Sequence, residues 1–256
     1  MRLPKPEDGV AWVTGGSSGI GRSLALRLAS AGWTVIISAP PVAELEEVVA
    51  ADPSKRIHAW PLDVTDEVAV ITAAGAIEQR HGPVALAILN AGTYREVSPA
   101  NFSVADFRAS VDLNVMGVVH CLVALLPAMR KRKLGQIAIT GSLIGYRGLL
   151  RGSAYGLTKA ALINMAEALV VELERDGICL QICNPGFVAT PLTAGNRFPM
   201  PFLLSAEQAA EAYFRGLQSG RFEIAFPWPA VWRMKLLRVL PYALALSFLR
   251  RGLPRK

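Results

Sequence analysis

What most constrains the fold of this chain is its rhythm. Short apolar, β-branched runs alternate with longer segments of helical period as far as about residue 186. The pattern predicts strands at Gly9–Thr14, Thr34–Ser38, Arg56–Leu62, Ala85–Asn90, Gln136–Thr140 and Ile178–Asn184. Between them it predicts helices at Ile20–Ala31, Val42–Ala51, Val68–His81, Val104–Lys133 and Tyr155–Arg175. The strand runs are apolar nearly throughout, which suits a parallel sheet covered on both faces. Strict alternation of strand and helix points to an α/β fold with a doubly wound parallel sheet.

At 256 residues there is room for one sizeable domain and too little for two comfortable ones. Apolar residues are 52% of the chain and charged residues 18%, so a large core is expected and general disorder is not. No repeat, low-complexity tract or linker divides residues 1–256. Cys121, Cys179 and Cys183 sit in apolar runs and read as buried thiols in a reducing compartment. His58, His81 and His120 have no ligand spacing, so no metal is expected. The N-terminus carries no apolar stretch of signal-peptide length, and no uninterrupted apolar run reaches the roughly 18–20 residues of a spanning helix. A soluble cytoplasmic protein is the expectation.

The net charge of +7 is localised. Seven of the 27 basic residues follow Glu223, the last acid, leaving 20 basic residues against 20 acids in the chain up to and including it. The basicity therefore belongs to the tail, and nucleic-acid binding is not expected. The run Arg130–Lys133 fits the C-terminal end of a helix, where cations meet the negative end of the helix dipole.

Directly after the first strand comes TGGSSGIG, Thr14 to Gly21, opening the first helix. Glycines there permit a tight turn and let a pyrophosphate approach the helix N-terminus, where free N–H groups favour anions. An inert turn is the plainer alternative, and the strand-to-helix context favours the phosphate cradle. Further on, Tyr155 and Lys159 are four residues apart at the start of a helix and project from one face. Alone they would read as an ordinary exposed pair. As chemistry, an ammonium beside a phenol favours the phenolate and lowers the tyrosine's pKa toward a useful range. Ser142, thirteen residues before Tyr155, could polarise a carbonyl oxygen or merely serve a turn. Asn114 is costly within a helix, and is either functional or a polar residue on a packed face.

With its GxxxGxG spacing, the glycine loop resembles that of the short-chain dehydrogenase/reductase family. So do LDVTD (Leu62–Asp66), NAG (Asn90–Gly92), SAYGLTK (Ser153–Lys159) and NPGFVAT (Asn184–Thr190), in order, over roughly residues 8–192. The resemblance implies a Rossmann-type fold and a nicotinamide cofactor, NADP or NAD. The implied dinucleotide site begins with Gly15, Ser17, Ser18, Gly19, Ile20 and Gly21 in the loop, then Ser38 after the second strand. It continues with Asp63 and Val64 near the adenine, Asn90, Ala91 and Gly92 beside the ribose, and Pro185, Gly186, Val188 and Thr190 near the nicotinamide. In the implied mechanism Tyr155 exchanges a proton, Lys159 holds the nicotinamide ribose and tunes the tyrosine, and Ser142 orients the oxygen. Asn114 is implied to hold a water that links Lys159 to solvent.

Two regions depart from the family pattern. Ala39 stands where an NAD user places an acid, and Pro40 where many NADP users place an arginine, with Pro41 next and Ser18 in place of a loop cation. Lack of a repelling carboxylate, with Ser38 as a hydroxyl partner, tilts the choice to NADP over NAD. By resemblance, residues 187–206 form a lid over the substrate. Its Phe198, Met200, Phe202, Leu203 and Leu204, with Leu143, Ile144 and Tyr146, favour an apolar carbonyl or alcohol, or else serve packing. In the extension 227–256, Trp228, Trp232, Leu236, Leu240, Ala243 and Leu244 could form an apolar stripe, interrupted by Pro241. That stripe could contact an anionic membrane surface weakly, as in a peripheral lipid reductase. Packing on the domain or a neighbouring subunit is favoured, because the basic residues are not segregated. A homodimer or homotetramer through the long helices is expected, and a non-catalytic dinucleotide sensor is the alternative from another class.

Overall fold

A computed structural model describes residues 2–40, 42–196 and 198–250. Pro41, Arg197 and 251–256, including the basic Arg251, Arg255 and Lys256, lie outside the described residues. Among the described residues, seven strands form one parallel sheet: β1 (Val10–Thr14), β2 (Val35–Ser38), β3 (Ile57–Ala59), β4 (Val84–Leu89), β5 (Gly135–Thr140), β6 (Ile178–Pro185) and β7 (Glu223–Phe226). Their order is β3-β2-β1-β4-β5-β6-β7. The order reverses between β1 and β4, so the chain leaves these neighbours toward opposite faces and opens a crevice beyond their C-terminal ends.

Side-chain alternation along each strand builds the two halves of the core. Val10 and Trp12 of β1 face one layer, formed by α3 (Glu67–His81), α5 (Gly117–Arg132) and α6 (Ser153–Arg175). Ala11 and Val13 face the other, formed by α1 (Gly19–Ser30), α2 (Val42–Ala50) and α7 (Ala206–Ser219). Because both faces are covered, the whole of β1, β4, β5 and β6 is buried, which is why those runs read as apolar throughout. The polar exceptions are paired. Gln136 donates to Gln181 Oε1 at 2.7 Å and to the Leu217 carbonyl at 2.8 Å, tying β5 and β6 to α7. Cys121, Cys179 and Cys183 are buried and free.

Three expectations change. The third strand is only Ile57–Ala59, because the chain turns away at Trp60 and Pro61 toward the crevice. The single helix expected over 104–133 is instead α4 (Val104–Val111), a π-helical turn at Asp112–Met116, and α5. Beyond residue 186 the alternation resumes after a gap, with α7 and β7, and then α8 (Trp228–Val239) and α9 (Tyr242–Arg250). Pro241 falls at the break between the last two helices, where its missing N–H costs nothing. In α8, Val231 is buried against the sheet layer, while Trp228, Trp232, Leu236 and Val239 stay exposed. The segments Val104–Arg132 and Ser153–Arg175 are long and apolar enough by length and composition to cross a membrane. Here they pack along the sheet beside β4, β5 and β6.

Trp12 is fully buried, and its indole N–H donates to Ser38 Oγ at 2.9 Å across β1 and β2. Trp12→Phe removes that donor and part of the packed ring. Urea unfolding should show a loss of about 1–3 kcal/mol, and an unchanged midpoint would show that the bond contributes nothing.

Candidate active site

The crevice is held open by backbone geometry at the glycine loop. Gly15 has φ +64°, a conformation that an L side chain rarely adopts, and its N–H donates to the Ser38 carbonyl at 2.7 Å. At Gly21 a Cβ would lie 2.0 Å from the Gly15 carbonyl oxygen, so only glycine lets the loop fold onto the first turn of α1. Thr14 anchors the other side: its hydroxyl accepts from the Asn90 and Ala91 N–H groups at 3.0 and 3.2 Å. Asn90 Nδ2 closes the link by donating to the Gly15 carbonyl at 3.2 Å. The first turn of α1 carries no acid, so its N–H groups present an uncancelled positive end to the crevice.

These groups bound a cleft of about 590 Å³ along the C-terminal ends of the strands. Every residue of the implied dinucleotide and catalytic sites lines it, except Gly21 and Asn114. Glycine loop, helix N-terminus and volume all fit a dinucleotide. At its far end the Asp63 carboxylate accepts from Thr65 N and Oγ1 at 2.9 and 2.8 Å, fixing the turn that carries Val64. Ala39 and Pro40 line the edge past β2. Ser38 is different from its expected role. It is 1% exposed and its hydroxyl is engaged by Trp12, so its contribution to the cleft is the carbonyl that holds the loop.

At the opposite end stand Ser142, Tyr155 and Lys159. Lys159 is 3% exposed, and its ammonium donates to the Thr140 carbonyl at 2.7 Å. Burial brings its pKa down to about 8, opposed by the nearby Cys183. The ammonium lies 5.5 Å from the centroid of the Tyr155 ring. It does not lower the phenol as the spacing predicted. Burial pushes Tyr155 up to about 12, the Ser142 hydroxyl pulls it down, and Tyr94 adds to the rise. Desolvation wins because the phenol sits largely within the protein, half-buried at the wall of the two cavities. Tyr94 meets the Tyr155 ring edge-on, with centroids 5.4 Å apart.

Asn114 sits one layer behind, fully buried in the π-helical turn. It accepts from Thr93 N at 2.7 Å and donates to the Thr93 carbonyl and to Thr158 Oγ1, each at 3.0 Å. Thr158 in turn donates to the Tyr155 carbonyl at 2.7 Å. Asn114 therefore clips the loop after β4 to the helix that carries Tyr155. Widening the helix by one residue at a functional position is a recurrent use of the π turn.

A second network steadies the Ser142 loop, and the motifs did not reveal it. The Ser142 N–H donates to Asn184 Oδ1 at 3.1 Å. Asn184 Nδ2 donates to Tyr146 Oη at 3.3 Å and to Glu223 Oε1 at 3.4 Å. Tyr146 and Lys235 also donate to Glu223. Burial by itself would raise Glu223, but Lys235 and Tyr146 hold it below the ordinary carboxylate value. One tail cation, Lys235, is thus a structural tie between α8 and the active-site loop.

Beyond Tyr155 the cleft continues into a second cavity of about 300 Å³. The two share Ser142, Tyr155, Pro185, Gly186, Leu192 and Thr193. Leu143, Ile144, Phe187, Phe198 and Met234 make the second cavity largely apolar. From segment 187–206, Phe198 and Phe202 line it, while Met200, Leu203 and Leu204 do not, and Tyr146 turns instead to Glu223.

Comparison with known proteins agrees with this geometry. A family model described as short chain dehydrogenase matches residues 9–199. An uncharacterized oxidoreductase of Myxococcus xanthus is 36% identical over 233 residues, covering 90% of this chain and 92% of that one. A second, from Mycobacterium tuberculosis, is 31% identical over 246 residues, covering 95% and 96%. Among solved structures, a short-chain dehydrogenase from Streptomyces avermitilis superposes with a TM-score of 0.79 at 29% identity, covering 96% of this chain and all of that one. ElxO with NADP bound shares the fold, with a TM-score of 0.77 at 23% identity, over 85% of this chain and 97% of its own. With the phosphate cradle, the tyrosine–lysine pair and the sheet order already in place, these matches identify the chain as a member of the short-chain dehydrogenase family and a nicotinamide-dependent oxidoreductase.

Proposed function

We propose that the protein interconverts an apolar ketone or aldehyde and the corresponding alcohol, with Tyr155 as the proton donor and acceptor. The observation that carries this reading is that Ser142 and Tyr155 form a shared wall between the dinucleotide cleft and the apolar cavity. A carbonyl carbon held at that wall faces the cleft on one side, while its oxygen meets two hydroxyls. A bound nicotinamide supplies or accepts the hydride. Tyr155 Oη, protonated across the physiological range because burial holds its pKa near 12, gives its proton to the developing alkoxide during reduction. Ser142 Oγ donates to the same oxygen and stabilises the charge as it forms. Lys159 lines the same cleft, and its ammonium would hold the ribose edge of the cofactor. The apolar cavity excludes water from the carbonyl, which strengthens each of these interactions.

Tyr155→Phe tests the assignment of the proton donor. Loss of a positioned acid lowers kcat by about 10²–10⁴, measured as NADPH oxidation with a medium-chain aliphatic ketone. Near-normal turnover would remove Tyr155 from the mechanism.

NADP is the proposed cofactor over NAD. The support is the edge past β2, where Ala39 and Pro40 offer no carboxylate to repel a 2′-phosphate. Dissociation constants from nicotinamide fluorescence should be lower for NADPH than for NADH. Tighter NADH binding contradicts the preference.

A further inference from the structure

We infer that the substrate carries an anionic head group at the end of its chain remote from the carbonyl, and that Arg233 of α8 receives it. The inference rests on the proposed reduction at Tyr155 and deepens it by naming a substrate class.

Among the described residues lining the second cavity, Arg233 is the single charged side chain. Its neighbours on α8 already have partners: Lys235 is bonded to Glu223, and Arg238 lies 3.4 Å from Glu167. Arg233 makes no ion pair with any described carboxylate. No acid occurs anywhere after Glu223 in the sequence, so no side chain of the tail can neutralise it.

Its guanidinium instead lies over the Phe202 ring, 4.7 Å from the centroid. Phe202 belongs to the lid and has φ +60°, a left-handed conformation that costs an aromatic residue energy. Phe202 and Arg233 both line the cavity and are both solvent-exposed, so the pair sits where the cavity wall meets solvent. A cation–π contact of this kind satisfies none of the guanidinium's N–H donors. Those donors match a carboxylate or phosphate as a two-pronged pair. The cavity thus has a reaction wall at Ser142 and Tyr155, apolar sides, and a cation with unused donors at its mouth. A straight-chain ω-keto acid, or the equivalent phosphate monoester, satisfies all three features. A neutral ketone leaves the third unused.

The test is calorimetric binding of decanoate, decyl phosphate and decanol to the full-length protein saturated with NADPH. The expected result is that at least one anion binds about tenfold or more tightly than decanol. The anion that gains more identifies the head group as carboxylate or phosphate. In Arg233→Gln the anion-to-alcohol ratio should collapse to about twofold or less, and Arg233→Lys, which keeps the charge and loses the planar fork, should hold an intermediate ratio. Equal binding of the anions and decanol by the wild type, or a ratio that survives Arg233→Gln, overturns the inference. A separate assay follows NADPH oxidation with an ω-keto acid and its methyl ester. Turnover of neither contradicts the proposed reduction. Turnover of the ester as efficiently as the acid contradicts only the role of Arg233.

Discussion

The active end of this molecule is organised around one buried cation. Lys159 is 3% exposed, and a fully enclosed ammonium is costly unless the protein replaces its water shell. Its bond to the Thr140 carbonyl recovers part of that cost, and the remaining desolvation lowers its pKa to about 8. Everything nearby follows from supporting that charge. Thr140 ends β5 at the height where the next loop begins, and Ser142 follows two residues on. Tyr155 lies one helical turn before Lys159, so the same helix delivers both. The π-helical turn at Asn114 lets a polar side chain reach α6 and fix its first turns through Thr158.

The dinucleotide end follows a different constraint, the fit of backbone to backbone. Gly15 and Gly21 approach each other too closely for any Cβ, and Thr14 and Asn90 bond the two diverging strand ends. The glycine loop is therefore tied down by the protein's own bonds, which lowers the ordering that binding there would need. The two ends meet at Ser142 and Tyr155, where a polar cleft passes into an apolar cavity. Helix α8 joins that cavity to the tail, contributing Ala230, Arg233 and Met234 to its wall and Lys235 to the Glu223 network. The tail is thereby part of the wall of the second cavity, in addition to being a basic extension.

Local signals carried most of the sheet and the chemistry. The glycine spacing, the four-residue step from Tyr155 to Lys159 and the apolar strand runs are each set within one element, so they are legible from residue order. Features that depend on distant partners were not. Ser38 is a free hydroxyl on paper, and only the register Trp12↔Ile36 of β1 and β2 brings the indole to it. The spacing of Tyr155 and Lys159 predicts a lowered phenol pKa, yet desolvation reverses the direction. Strand β7 has four residues between a glycine-containing turn and Pro227, too short to register as a periodic run. Glu223 at its start looked like the last ordinary acid. Its role arises from Asn184, Tyr146 and Lys235, spread over β6, the Ser142 loop and α8.

The dependence of catalysis on the buried ammonium has one direct measurement, the pH profile of kcat/KM for carbonyl reduction. The group is cationic below its depressed pKa and neutral above it, while Tyr155 stays protonated until about pH 12. The account predicts a plateau at neutral pH and a fall through about pH 8 as Lys159 loses its proton. The descending limb should move to higher pH in Lys159→Arg, whose guanidinium does not titrate in this range. A profile that stays level to pH 10 in the wild type would contradict the claim that the charge on Lys159 supports the reaction.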